Sequence, residues 1–235
     1  MIKDNCILKI NKKNIIHNYI YFKNLKKNIT VAPTIKADAY GLGDKEIYKI
    51  LKKINCNHFF VATLEEGIGL KNKNNKTNIY VLNGIQNYDL SLFKKNKLIP
   101  IINTKSEFKR IVKSNLNFCL HIDTGINRLG IDYRELNNDV FENKNIKLII
   151  SHLASADEIS NKYNLRQKNK FLDVIKKFKE KKIIYSLANS NGSILSSEYL
   201  FDMVRTGIGL YGGYNNNKLL KKYIKPVVTL RGKII

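Results

Sequence analysis

The chain has 235 residues, 43% of them apolar, and its 42 Lys and Arg against 19 Asp and Glu give a formal charge of +23. That apolar share supports a sizeable core and excludes global disorder, and no apolar run is long enough to span a membrane. The charge invites a nucleic-acid or anionic-surface reading, but the lysines are spread along the whole chain together with abundant Asn and Ile, as an AT-rich genome produces. No arginine-rich arm, zinc spacing or clustered aromatic motif accompanies them, so no specific nucleic-acid or membrane partner is expected. Residues 1–5 lack the basic-then-apolar pattern of a signal peptide. Cys6, Cys56 and Cys119 are odd in number, widely spaced and without a CxxC pair. They argue for a reducing compartment, hence the cytoplasm, and against a disulfide framework or a metal site.

In chain order, a helical pattern over 12–27 precedes the first apolar, β-branched run at 29–36. Further strand candidates follow at 57–62, 78–82, 98–102, 118–123, 147–153, 183–188 and 203–206. Helical patterns lie between them. Residues 44–53 place Ile47, Ile50, Leu51 and Ile54 on one face. Thr63 with Glu66, and Thr104 with Glu107, are capping-box pairs that open helices over 63–70 and 104–113. A long helix is predicted over 159–181, with Tyr163, Phe171, Val174, Ile175 and Phe178 inward. Residues 71–76 and 214–222 read as polar loops. Strands alternating with helices give a parallel sheet, and about eight of them in a chain this long suggest a closed (β/α)8 barrel. Residues 224–235 form one more alternating strand pattern, which could pair with the barrel's surroundings, swap with another copy, or fray.

The chemically informative segment is Val31-Ala32-Pro33-Thr34-Ile35-Lys36, which runs into Ala37-Asp38-Ala39-Tyr40-Gly41-Leu42-Gly43. A lysine ending a buried run either snorkels to solvent or is kept for its amine, which burial makes easier to deprotonate and able to attack a carbonyl. Candidate groups recur at the ends of later strands, where barrels collect function. These are Asp123 with the string Thr124-Gly125-Ile126-Asn127-Arg128-Leu129-Gly130, His152, Asn189-Ser190, and Arg205 followed by Thr206-Gly207-Ile208-Gly209.

These five segments, in this order, resemble the signatures of the alanine racemase family. The resemblance implies a fold-type III (β/α)8 TIM barrel over 1–223 that binds pyridoxal 5'-phosphate, with 224–235 as the start of a truncated C-terminal β domain. It implies that Lys36 holds the cofactor as a Schiff base and exchanges the Cα proton on one face. Tyr40, Leu82, Asn189, Ser190, Gly207 and Ile208 are then cofactor contacts, several of them at the phosphate. His152 stacks on the pyridine ring, Arg205 faces the pyridine nitrogen, and Arg128 orients the substrate carboxylate. An arginine never gives up its proton, so the ring nitrogen stays unprotonated and reprotonation of Cα is favoured over transamination. His121 stands where many members carry a carbamylated lysine that steadies this arginine. It offers a hydrogen bond but no anion, and Arg128 pairing with Asp123 is the plainer alternative. The implied substrate is alanine, the product D-alanine for peptidoglycan, and the assembly a homodimer. The family's second base, a tyrosine of the partner's C-terminal domain, has no matching segment here. A non-catalytic vitamin B6 homeostasis barrel is the alternative.

Overall fold

The structure is a computed structural model describing residues 6–71, 76–178, 182–214 and 217–234. Parts of the predicted loops and of the 159–181 helix (residues 72–75, 179–181 and 215–216) lie outside it, as do the two chain ends. The elements in order are β1 (Cys6–Ile10), α1 (Lys12–Lys23), β2 (Thr30–Pro33), the short α2 (Lys36–Gly41), α3 (Asp44–Lys52), β3 (His58–Val61), α4 (Leu64–Leu70) and β4 (Asn78–Val81). They continue with α5 (Leu90–Asn96), β5 (Ile99–Ile102), α6 (Lys105–Ile111), β6 (Phe118–Asp123), β7 (Ile131–Asp132), α7 (Asn138–Phe141) and β8 (Ile146–Ile150). The last are α8 (Lys162–Ile175), β9 (Ile184–Ser186), β10 (Met203–Thr206), α9 (Lys218–Tyr223) and β11 (Val228–Gly232).

Strands β3, β4, β5, β6, β8 and β9 form one parallel ladder, and β10 pairs with β2 in another. The two arcs meet through single bridges, Thr34 with Phe60 and Asn189 with Arg205. The Ile35 N–H donates to Phe60 O at 2.8 Å and the Arg205 N–H to Ala188 O at 3.0 Å across these joints. All eight predicted strands are therefore in the ring, and its hydrogen bonding is sparsest on either side of the β10–β2 pair. The strands are buried on both faces, as parallel barrels require. Phe60, Tyr80, Ile101, Cys119, Leu148 and Met203 fill the interior, and a larger apolar layer separates strands from helices.

Both capping boxes form: Thr63 Oγ1 accepts the Glu66 N–H at 3.3 Å and Thr104 Oγ1 accepts the Glu107 N–H at 3.1 Å. Each glutamate also clamps the preceding βα loop. Glu107 accepts the N–H groups of Ile85 (2.9 Å) and Gln86 (3.2 Å).

Two expectations are corrected and one left open is settled. First, β2 stops at Pro33, so Lys36 does not end a strand. It opens a turn in which Ala37, Asp38, Ala39 and Tyr40 all have φ between 51 and 59°. Successive positive φ values cannot continue a pleat. Second, the 214–222 segment is not wholly loop: the Asn217 side chain accepts the N–H groups of Leu219 and Leu220, and buried Leu220 anchors α9. Of the three fates left open for the C-terminal strand β11, pairing is the one observed. It pairs antiparallel with β1, Cys6 opposite Gly232 through Ile10 opposite Val228, in a ribbon outside the barrel. Asn18 of α1 fixes the approach, donating to Lys225 O (2.9 Å) and accepting the Lys225 N–H (2.7 Å).

Candidate active site

A cavity of about 490 Å³ opens at the C-terminal end of the barrel strands. Lys36, Tyr40, Leu82, Arg128, His152, Asn189, Ser190, Arg205, Gly207 and Ile208 all line it. The sequence reading placed each of these at a site on separate segments, and the fold brings them to one wall-to-wall set. Thr34, Phe60, Asn83, Ile150 and Asn191 also line the cavity and were not foreseen.

Arg205 is buried and has no ion pair among the described residues. Carbonyls and a hydroxyl hold it instead: Nη1 donates to Ser186 O (2.8 Å) and Ser186 Oγ (2.7 Å), and Nη2 donates to Ser151 O and, more weakly, to Leu187 O (3.3 Å). A buried cation is tolerated when such acceptors replace water. Burial pushes the guanidinium down to about 10, which still leaves it charged at neutral pH. Both Nη atoms are engaged, so Nε–H is the donor left for a ligand.

Nη2 of Arg205 also approaches His152 Nδ1 at 3.4 Å. A guanidinium only donates, so Nδ1 is an acceptor and the neutral ring carries its proton on Nε2. Burial, and then the Arg205 and Arg128 charges, hold His152 well below the usual histidine range. The backbone around it is pinned by buried Gln167 of α8, which donates to His152 O (2.9 Å) and accepts the Ala154 N–H (2.8 Å). Gln167 shares the buried face of α8 with Asn164, Lys168, Phe171 and Val174.

His121 has the opposite tautomer. The Asn103 amide donates to Leu82 O (2.9 Å) and Ile101 O (3.1 Å), which turns its Oδ1 toward His121 Nδ1 at 2.9 Å. Nδ1 therefore carries the proton. Nε2 is a buried acceptor without a partner, on a side chain that lines the cavity. Burial and the Arg205 and Arg128 charges push this imidazole down to about 3. The expected hydrogen bond is donated, from Nδ1 to Asn103, and Nε2 is left as an acceptor.

Arg128 is exposed and makes no hydrogen bond or ion pair among the described residues. Pairing with Asp123 does not occur, because that carboxylate already accepts the N–H groups of Gly125 (2.7 Å), Ile126 (2.9 Å) and Asn127 (3.0 Å). Asp123 thus shapes the loop that carries Arg128.

At the opposite wall, Ser190 Oγ accepts the N–H groups of Gly207 (3.0 Å) and Gly209 (3.1 Å). A Cβ on Gly207 would fall 2.5 Å from Tyr40 Oη, so only glycine leaves this concavity open. Tyr40 leans on Tyr211, whose hydroxyl donates to Thr34 O at 3.0 Å. Beside them, Asn189 Oδ1 accepts the Gly192 N–H at 2.8 Å. Buried Asn191 Oδ1 and Thr206 Oγ1 have no partner. A glycine cradle beside the Ser190 hydroxyl fits a phosphate, and the free Arg205 Nε–H fits an aromatic nitrogen.

The family description "Alanine racemase, N-terminal domain" matches residues 10–215. The chain belongs to that family. The alanine racemase of Rickettsia canadensis (strain McKiel) is 40% identical over 242 aligned positions, which cover 98% of this chain and 66% of that protein. That of Rickettsia africae (strain ESF-5) is 38% identical with the same coverage. The chain therefore spans just under two thirds of the length of these relatives. Among solved structures, the alanine racemase of Bartonella henselae with covalently bound pyridoxal phosphate is 31% identical and superposes with a TM-score of 0.88. The match covers 98% of this chain and 67% of that one. The biosynthetic alanine racemase of Pseudomonas aeruginosa gives 25% identity and a TM-score of 0.83. No helix among the described residues is long and apolar enough to cross a membrane, and no group of three or more His, Cys, Asp or Glu comes together there.

Proposed function

We propose that this chain forms the cofactor-bearing barrel of an alanine racemase dependent on pyridoxal 5'-phosphate. The observation that carries this is the convergence of Lys36, Arg205, His152 and the Ser190–Gly207 cradle on one cavity at the catalytic end of a barrel. When bound, pyridoxal phosphate supplies an electron sink for charge developing at Cα.

The residues of the chain do the rest. Ser190, Gly207, Ile208 and Tyr40 hold the phosphate, with Leu82 and Asn189 completing the cofactor's surroundings. His152 covers the ring face and keeps Arg205 in register. Arg205 presents Nε–H to the ring nitrogen and, being unable to yield its proton, keeps that nitrogen unprotonated. Lys36 binds the cofactor covalently, and once displaced by substrate it holds or delivers the proton at one face of Cα. Arg128 is the free guanidinium at the mouth and takes the carboxylate of the amino acid through its fork.

Racemisation requires a proton at both faces of Cα. Of the other titratable groups lining the cavity, His121 and His152 are made poor bases by burial and by the Arg205 and Arg128 charges, and Tyr40 is turned to the Gly207 cradle. The second acid–base group therefore comes from outside the described cavity lining, such as a partner subunit in a homodimer. The same gap supports a second reading, a pyridoxal-phosphate carrier without turnover.

The test is cofactor attachment. The full chain mixed with pyridoxal phosphate develops the absorbance of a lysine-bound cofactor, and Lys36→Ala abolishes it. Absorbance retained in Lys36→Ala refutes the assignment. Alanine-dependent spectral change favours the racemase over the carrier.

A further inference from the structure

Glu66 stands one βα unit along from Lys36, at the third position of α4. Its Oε2 serves the capping box, accepting the N–H groups of Ala62 (2.6 Å) and Thr63 (3.4 Å). Its Oε1 accepts the N–H of Ala37 at 2.8 Å, the peptide that directly follows Lys36. We propose that Glu66 is a positioning residue for Lys36, setting the direction in which that side chain enters the cavity. This rests on the reading of Lys36 as the cofactor-bearing lysine.

The argument turns on backbone conformation. Four successive left-handed residues follow Lys36, and such a conformation persists only where the surroundings impose it. Within residues 35–44 the turn is held by Ala39 N–H to Ile35 O (3.0 Å), Leu42 N–H to Ala39 O (3.3 Å), Gly43 N–H to Asp38 O (2.9 Å) and Asp44 N–H to Asp38 Oδ1 (2.9 Å). Among the described residues, the bond from Glu66 is the one hydrogen bond of the turn after Lys36 that comes from another βα unit. Since Ala37 N–H belongs to the peptide next to the Lys36 Cα, moving it rotates the Cα–Cβ vector that aims the amine.

A carboxylate is needed for this, because both oxygens accept from backbone N–H groups. An amide in the same place would turn an NH₂ against one of those donors. Glu107 is an internal control. It makes the same capping box and clamps the loop at Ile85 and Gln86, which does not carry Lys36.

The experiment compares the full-length chain with Glu66→Gln and Glu107→Gln. One readout is the equilibrium for covalent attachment of pyridoxal phosphate at Lys36, followed by absorbance and by mass after reduction. A second is affinity for pyridoxine 5'-phosphate, which lacks the aldehyde and so reports the cradle without the lysine. Glu66→Gln is expected to weaken attachment at least about tenfold, the change carried by about 1.4 kcal/mol, with pyridoxine phosphate affinity held within about twofold. Glu107→Gln is expected to leave attachment within about twofold of wild type. Should Glu66→Gln not fold, Glu66→Asp keeps a carboxylate for the capping box but withdraws it from Ala37, and the same tenfold loss is expected. Attachment in the Glu66 variants equal to that in Glu107→Gln overturns the inference. No attachment in the wild-type chain overturns the Lys36 reading as well, so the two failures are distinguishable.

Discussion

His121 should make this protein acid-sensitive by a calculable amount. In the folded chain its imidazole is pushed down to about 3, because the ring is buried and faces Arg205 and Arg128. In the unfolded chain it titrates near 6.5. Between these values the unfolded state binds the extra proton, so stability falls as pH falls through the window. Taking pH 7 to pH 4, the difference in proton binding is worth about 3 kcal/mol. His152, also depressed, acts in the same direction. Carboxylates titrate over part of this range, so the informative quantity is a difference between variants. Glutamine at 121 can still donate to Asn103 Oδ1 but takes up no proton. Urea unfolding of the cofactor-free chain at pH 7, 5 and 4 should show wild type losing about 3 kcal/mol more than His121→Gln across the range. Superimposable pH dependences would refute the buried, neutral Nδ1–H histidine and, with it, the unpaired acceptor at the cavity wall.

Two further substitutions test separate features. Ser190→Ala leaves the N–H groups of Gly207 and Gly209 without their acceptor. At about 1–3 kcal/mol for each group left unsatisfied, the cofactor-free chain should lose at least about 2 kcal/mol. At this chain length that lowers Tm by roughly 4–8 °C, measurable by calorimetry, and an unchanged Tm contradicts the cradle as described. Ala37→Gly should do the reverse, since Ala37 is exposed with φ 51°. Relief of about 1–2 kcal/mol of left-handed strain, set against about 0.4–1 kcal/mol of added unfolded-state entropy, leaves a net gain near 0.5–1 kcal/mol. A lowered Tm in thermal unfolding would show that the turn is not strained.

The sequence made the barrel legible because each β-branched run lies in a parallel strand buried on both faces, and periodicity reports burial directly. The capping boxes at Thr63 and Thr104 were legible for a similar reason: the signal is local and the partner is three residues away. The C-terminal ribbon was only half legible. The alternation over 228–232 showed, but its partner at Cys6–Ile10 lies more than two hundred residues away and carries no comparable pattern. The left-handed turn after Lys36 was hidden because Ala37 and Ala39 are not residues that advertise positive φ. At the site, the motifs named the side chains that line the cavity but not what holds them. Asn103, Gln167 and Glu66 act through hydrogen bonds to residues distant in sequence, which leave no periodic trace. The tautomer of His121 was not legible because it is decided by Asn103, eighteen residues earlier.

The most direct test of the account follows the α-proton of alanine in D₂O. The full chain, saturated with pyridoxal phosphate, is given L-alanine or D-alanine separately, with Lys36→Ala as control. Chiral analysis and NMR then report inversion and exchange together. With Lys36 as the one acid–base group poised at Cα among the cavity-lining residues, the account predicts Lys36-dependent exchange of one enantiomer with retention, and inversion only when a second acid–base group is supplied. Rapid interconversion by this chain alone, or exchange that survives Lys36→Ala, would contradict it.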